Sequence, residues 1–380
     1  MTNSDLKNAY NILKRDLRSC YAKEGIFAGL RHFDDYWARD GFFAGLGALE
    51  LEDYNIVRKQ LNLFSKFQKK DGELPLRVGS YNILSKFMGF KRKRELKPRY
   101  EQDKLGSHAV DPNSLFVNLG YEYYQKTRDI SFLRKKVWSF KKSVDWLLSV
   151  SENLLISEKK YGNWADSLKK EGKVFYSNVC FVRSLYCISN ILKTVGENKL
   201  AREYKQLYIE AKNNLEIFWT ETDTNTGYYI DWISDKKRSY FSTDGNVLAI
   251  VWNLTKKKKQ ILNFMEKNSL NKGFCVKTNF PSYESQFIYP PLKYLGMKDY
   301  HNGQKWLWLG FLDVVAKYEN GKKKKSKREL QKILQIVLKY DNVYEVYEED
   351  GKPVNRLFYK SEVPFAWSSG IGIYALSKIK

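Results

Sequence analysis

The chain has 380 residues, with 66 Lys and Arg against 43 Asp and Glu and a formal net charge of +23. Its 43% hydrophobic content excludes a disordered polar chain, and no apolar run reaches the length of a membrane span. Four cysteines, Cys20, Cys180, Cys187 and Cys275, show neither metal-site spacing nor a disulfide framework, and the N-terminal Met-Thr-Asn-Ser-Asp-Leu-Lys lacks the apolar stretch of a secretion signal. A cytoplasmic protein is therefore expected.

In chain order, residues 3–18 read as an amphipathic helix capped near Asn3 or Ser4. A charged aromatic loop, Leu30 to Trp37, leads into a small-residue helix from Gly41 to Leu51, followed by an outer helix over 53–69. Residues 71–107 are punctuated by Gly72, Pro75, Gly79, Gly89 and Pro98 and form a basic insertion of the kind that often serves as a lid or binding element. Helix pairs follow at 113–126 with 130–150, 174–194 with 198–218, 244–254 with 257–267, and 303–319 with 324–340. A last helix over 366–379 pairs with the N-terminal one. Strand-like pieces are expected at Gly227–Ile233, Phe274–Thr278 and Val343–Tyr347, the last followed by an Asp350-Gly351 hairpin turn.

Six polar loops open the apolar member of each pair: Tyr36 to Gly41, His108 to Asn113, Asn163 to Ser167, Phe241 to Asn246, Asp299 to Gln304 and Pro364 to Ser369. They recur about every 60–70 residues, the period of a helical array built from one apolar and one amphipathic helix. Six such pairs without a Ser/Pro/Gly-rich linker predict one all-α domain over residues 1–380, an (α/α)6 barrel closed on itself. Carboxylates, amides and aromatics then gather at one end of the inner helices, where aromatic rings offer flat amphipathic platforms. That composition suits a sugar pocket.

In a six-pair ring, inner helices three apart face each other. Asp166 precedes the third inner helix and Glu345 the sixth, so the two are expected to oppose across the pocket as a glycosidic acid and base. Trp164 beside Asp166 provides an apolar setting that raises a carboxyl pKa. Glu284, in Pro281-Ser-Tyr-Glu284, is the alternative base, and Glu348 and Glu349 share a segment with Glu345. The plain alternatives are that Asp166, Asp40 and Asp244 cap helices, that Asn246 does the same, and that Glu345 lies exposed on a hairpin.

Several of these segments resemble the amylo-α-1,6-glucosidase domain of glycogen debranching enzymes and related six-hairpin glycosidases. Tyr36-Trp37-Ala-Arg39-Asp40 is similar to that family's Trp-Ala-Arg-Asp, Val110-Asp111-Pro-Asn113-Ser-Leu-Phe to its Val-Asp-Ala-x-Leu-Trp-Phe, and Asn163-Trp164-Ala-Asp166 to its acid-bearing Thr-Trp-Met-Asp. Tyr300-His301-Asn302-Gly303-x-x-Trp306-x-Trp308 resembles its Tyr-His-x-Gly-x-x-Trp-Pro-Trp and the Tyr-His-Asn-Gly loop of alkaline and neutral invertases. Phe365-Ala-Trp367-Ser is similar to the closing Gln-Ala-Trp-Ser. The motifs keep the family's order across residues 36–369. The resemblance implies an inverting hydrolase of an α-linked glucosyl oligosaccharide with Asp166 as general acid; the count around the ring supplies Glu345 as general base. The resemblance further implies that Tyr36, Trp37, Arg39, Asp40, Asp111, Trp164, His301, Asn302, Trp306 and Trp367 bind sugar. One departure is Gly172-Lys-Val-Phe-Tyr176 where the family has Gly-Lys-Pro-Val-Glu, which bears on debranching specificity.

Sucrose or trehalose hydrolysis on the same fold is the near alternative. A sugar epimerase would need His108 and His301 to converge. A non-catalytic binder of nucleic acid or an anionic glycan would need Lys and Arg to gather on the motif face, against its carboxylate-rich loops; the basic runs, Lys91 to Arg94, Lys256–Lys259 and Lys322–Lys325, form no single stripe in the sequence. The last two are expected at starts of outer helices on opposite sides of the ring, a distribution that makes nucleic acid an improbable partner. No cofactor and no metal is implied, since the chain has no Gly-rich phosphate loop and no ligand cluster at metal spacing.

Overall fold

The computed structural model describes residues 1–80, 95–102 and 106–379. The basic run Lys91 to Arg94 and much of the 71–107 insertion lie outside the described residues.

Six inner helices form a closed ring. They are α2 (Ala38–Glu50), α4 (Asp111–Thr127), α6 (Phe175–Val195), α8 (Thr243–Val251), α11 (Leu307–Glu319) and α13 (Ala366–Lys378), each packed on the next and α13 back on α2. Six outer helices complete the hairpins: α3 (Tyr54–Lys66), α5 (Ile130–Ser149), α7 (Asn198–Asn214), α9 (Lys258–Lys267), α12 (Lys323–Tyr340) and the N-terminal α1 (Asn3–Ser19). A short α10 (Pro290–Tyr294) lies in the loop before α11. The chain is thus an (α/α)6 toroid, with α1 packed on α13 and α12 to close it.

The two rings differ in sequence for a physical reason. Inner helices touch protein on every side, so α8 is buried from Thr243 through Ile250 and α11 from Leu307 through Lys317. Outer helices bury one stripe. In α1 the stripe is Ala9, Ile12, Leu13, Asp16 and Leu17, and the helix starts at a capping box in which Thr2 and Asp5 exchange bonds. Glycines allow the closest inner contacts. A Cβ on Gly47 would lie 2.2 Å from the Gly370 carbonyl oxygen, and one on Gly370 2.5 Å from the Ala44 Cα, so backbones of α2 and α13 meet directly.

All six inner helices begin at the loop-rich end, and none carries a side-chain cap at its first residue. Five are entered from extended backbone, three of them directly from a strand: β1 (Tyr36–Trp37), β6 (Lys173–Val174) and β9 (Lys237–Ser242). β1 pairs with β2 (Arg77–Val78), which pairs with β3 (Pro98–Arg99), so the described flanks of the 71–107 insertion are bound to the ring mouth. β8 (Thr226–Ile233) joins β6, β7 (Trp219–Asp223) and β9 in an antiparallel sheet that β10 (Asn279–Phe280) extends. Among the described residues two small hairpins complete the strands, β4 (Ser151–Glu152) with β5 (Leu155–Ile156), and β11 (Asn355–Arg356) with β12 (Tyr359–Lys360).

Three sequence expectations are corrected. Phe274–Thr278 is a loop, the strand falling at β10 instead, because Lys277 N–H turns back to the Leu270 carbonyl. Val343–Tyr347 forms only isolated bridges, from Tyr347 to Lys305 and Pro353, around a turn where Gly351 has φ 86°. The runs Lys256–Lys259 and Lys322–Lys325 are not opposite. They begin neighbouring outer helices, and Lys322 and Lys325 both pair with Glu266 of α9 at 3.1 and 2.9 Å.

Candidate active site

The loop carrying Asp166 is set by side chains on both flanks. Asn163 Oδ1 accepts the Ala165 N–H at 2.8 Å, and Leu168 N–H reaches the Ala165 carbonyl at 3.0 Å, so residues 163–168 form a pair of tight turns. Asn163 Nδ2 and the Ser177 hydroxyl both donate to Glu158, a buried carboxyl that ties the loop to α6. Burial pushes the Glu158 carboxyl up to about 8. Asp166 lies nine residues before α6 begins, which separates it from that helix's cap. Its carboxylate stands 3.9 Å from Arg39 and keeps 24% of its side chain exposed.

Arg39 and Asp111 come from the first turns of α2 and α4. Arg39 Nε donates to Asp111 Oδ2 at 2.6 Å, with both side chains buried. The remaining Arg39 terminal nitrogen and Asp111 Oδ1 are buried without hydrogen-bond partners among the described residues. These are a donor and an acceptor held at the mouth of the ring, the pairing a sugar diol needs. Asp40, in the same first turn of α2, is half-buried, and burial raises its carboxyl to about 7 despite the neighbouring Arg39.

Trp164 is the hub of an aromatic cluster. Its ring meets those of His301 at 4.9 Å, Trp306 at 5.4 Å, Trp308 at 4.9 Å and Trp367 at 5.9 Å, all near-perpendicular. Its indole N–H donates to Asp244 at the start of α8. Asp244 therefore orients Trp164 as well as accepting from Ser242 and Gly245 at its own helix start. Asn246 binds the Tyr229 backbone on both faces and belongs to the scaffold. Trp367 stacks on Phe43 at 4.9 Å and on Trp308 at 4.5 Å.

Across the ring, Glu345 is 3% exposed and accepts from the Tyr300 and Tyr359 hydroxyls. Burial pushes its carboxyl up to about 8, against the lowering effect of those two donors. A chain of contacts joins it to the Asp166 loop: Ser167 Oγ lies 2.7 Å from His301 Nδ1, His301 packs on Tyr300 at 4.5 Å, and Tyr300 donates to Glu345. The segment is held from behind by Glu362, which accepts the N–H groups of Leu30, Arg31 and His32 at 2.9, 2.6 and 2.5 Å.

Asp166, Glu345, Arg39, Asp40, Asp111, Trp164, His301, Trp306 and Trp367 thus come together in this region. Others of the expected set make contacts with neighbouring loops. Tyr36 is buried against Phe27, with its hydroxyl accepting the Glu24 N–H at 3.1 Å. Trp37 packs on Phe33 and under Arg77 at the rim. Asn302 uses its amide on Tyr283 and Asn279, fastening two loops. Glu284 is exposed and accepts from Tyr240 and Gln286. His108 pairs with Glu73 at 2.5 Å, whereas His301 pairs with Ser167. Glu158, Tyr359 and Glu362 also belong to this region, with partners 5 to 332 positions away; in the sequence the two glutamates look like ordinary loop carboxylates and Tyr359 like one of many tyrosines. Among the described residues no group of three or more His, Cys, Asp or Glu is placed to hold a metal ion, and no helix is long and apolar enough to cross a membrane.

A closed ring of six helical hairpins with carboxylates and aromatics at the N-terminal end of its inner helices defines a six-hairpin glycosidase. Residues 52–279 match the bacterial α-L-rhamnosidase six-hairpin glycosidase domain, and the chain belongs to that family. No curated protein matches it in sequence. Among solved structures it is similar to a rhamnosidase from Klebsiella oxytoca with rhamnose bound, at 14% identity and a TM-score of 0.72. That similarity covers 98% of this chain and 64% of the other, so the chain spans under two thirds of that relative. It is also similar to the GH63 mannosylglycerate hydrolase of Thermus thermophilus in complex with glucose, at 11% identity and a TM-score of 0.71, covering 96% and 99%. The GH78 rhamnosidase of Bacillus sp. GL1 is 15% identical with a TM-score of 0.69, covering 99% of this chain and 35% of that one.

Proposed function

We propose that residues 1–380 form one catalytic unit that hydrolyses an α-linked glucosyl oligosaccharide with inversion. Asp166 protonates the leaving glycosidic oxygen, and Glu345 takes a proton from the water that attacks the anomeric carbon from the other face. Arg39, Asp111 and Asp40 hold hydroxyls of the terminal sugar, and the Trp164 cluster supplies the apolar wall. The observation that carries this reading is the convergence of the Asp166 and Glu345 loops, from opposite hairpins, on His301 and Tyr300.

Two specific observations favour variants of it. The family match favours an α-L-rhamnoside as the cleaved unit. The raised carboxyl of Glu345, set against an Asp166 that sees Arg39, favours exchange of the acid and base roles. A panel of maltose, isomaltose, trehalose, sucrose and aryl α-glucosides and α-L-rhamnosides decides the sugar. Aryl glycosides with a highly acidic phenol decide the roles, because they need no general acid. Asp166→Asn is expected to keep most of its kcat/KM on them and to lose at least about 100-fold on maltose-type substrates, while Glu345→Gln loses activity on both. The reverse pattern exchanges the roles.

A further inference from the structure

A cavity of about 640 Å³ lies beside the Asp166 loop, lined by Lys169, Glu171, Arg238 and Phe287 and by none of Asp166, Glu345, Trp164 or His301. Tyr289 N–H donates to the Ser167 carbonyl at 2.8 Å and Lys169 N–H to the Phe287 carbonyl at 2.7 Å, with Leu168 bridged to Ile288. Ser167 pairs with His301, while Lys169 and Phe287 line the cavity.

The lining has a particular chemistry. The Arg238 guanidinium carbon stands 5.3 Å from the Phe287 ring centre, and its Nε is buried without a hydrogen-bond partner among the described residues. One of its terminal nitrogens holds Asp235 at 3.1 Å. The half-buried Lys169 ammonium forms no ion pair among the described residues, whereas the other basic residues of the wall are paired, Lys160 with Glu171 and Lys173 with Glu152. The Lys169 ammonium is thus uncommitted beside the Arg238 guanidinium, in a site whose remaining charges are balanced. A doubly charged phosphate would meet three carboxylates at close range; a singly charged ligand rich in hydroxyls would find them useful as acceptors. Arg beside an aromatic ring suits a planar carboxylate. The volume is in the range of small-molecule sites.

We propose that this cavity binds a carboxylated sugar, a hexuronate unit, with its carboxylate on Arg238 and Lys169, its ring against Phe287 and its hydroxyls on Glu171 and Asp235. The site is distinct from the ring mouth and does not depend on which glycoside is hydrolysed there.

The test is calorimetric or NMR titration of the full chain with glucuronate, glucose and inorganic sulfate, using wild type, Asp166→Asn and the Lys169→Gln/Arg238→Gln double variant. Saturable glucuronate binding that is at least tenfold tighter than glucose and sulfate, weakened at least tenfold by the double variant and unchanged by Asp166→Asn, is expected. Lys169→Gln alone, at a half-exposed position, is expected to weaken it several-fold and serves if the double variant is unstable. Absence of saturable binding, binding indifferent to Lys169 and Arg238, or sulfate bound as tightly as glucuronate overturns the proposal. Loss of binding in Asp166→Asn would place the ligand in the ring mouth and overturn it too.

Discussion

Glu345 is held by two phenol hydroxyls that compete with burial for control of its proton. Tyr300 and Tyr359 each donate to it and lower its pKa, while burial raises it to about 8. If Glu345 is the base, kcat/KM rises with pH through about 8, and Tyr359→Phe, which removes one donor, moves that limb further up by roughly one pH unit. A profile that falls through this range, or a Tyr359→Phe profile shifted down, contradicts the base assignment. At Trp164 the expected effect differs. Trp164→Phe keeps the ring contacts but strands Asp244, so activity should fall at least about tenfold with the fold retained, as measured by kinetics beside circular dichroism.

At the scale of elements, ring closure depends on bare backbone at the α2–α13 seam. Gly47→Ala puts a Cβ against the Gly370 carbonyl, which has no room to yield, and should cost about 1–3 kcal/mol or more in denaturant unfolding. Gly45→Ala meets the Leu119 methyl at 2.7 Å, the end of a flexible side chain, and should cost less. Equal costs would mean the seam relaxes. The helices themselves were legible in the sequence, because inner ones are apolar on all faces and outer ones carry a single stripe, as α8 and α1 show. That the Asp166 and Glu345 loops precede the third and sixth inner helices could be counted from the repeat. The lysine runs could not: Lys322 and Lys325 reach Glu266 across neighbouring hairpins, and a period alone does not say which side chains bridge them. Glu158 and Glu362 were invisible for the same reason, since a buried carboxylate in a loop looks like a solvated one until its donors are placed.

For the whole molecule, buried carboxyls link stability to pH. Glu158 and Glu345 lie near 4.5 when unperturbed and are raised to about 8, and Asp40 is raised from 3.8 to about 7. Between these limits the native state keeps protons that the unfolded chain has released. Their stabilisation is complete below pH about 4 and is lost as pH rises through 7 to 8. The Tm should therefore fall between pH 5 and 8.5, and Glu158→Gln, neutral at every pH, should flatten part of that slope; a Tm independent of pH over this range contradicts the burial argument. The excess of cations does not form a single stripe around Lys256–Lys259 and Lys322–Lys325, where Glu266 and Glu216 take up lysines. The proposed reaction requires a water that attacks opposite the leaving group, between Asp166 and Glu345. Proton NMR of early hydrolysis, run on an α-glucoside and an α-L-rhamnoside with wild type and Asp166→Asn, tests this directly. On substrates with an unactivated leaving group, the inverted β-anomer should appear first, and Asp166→Asn should slow its release at least about 100-fold. A first-formed α-anomer, or undiminished release by Asp166→Asn, would contradict the proposed reaction.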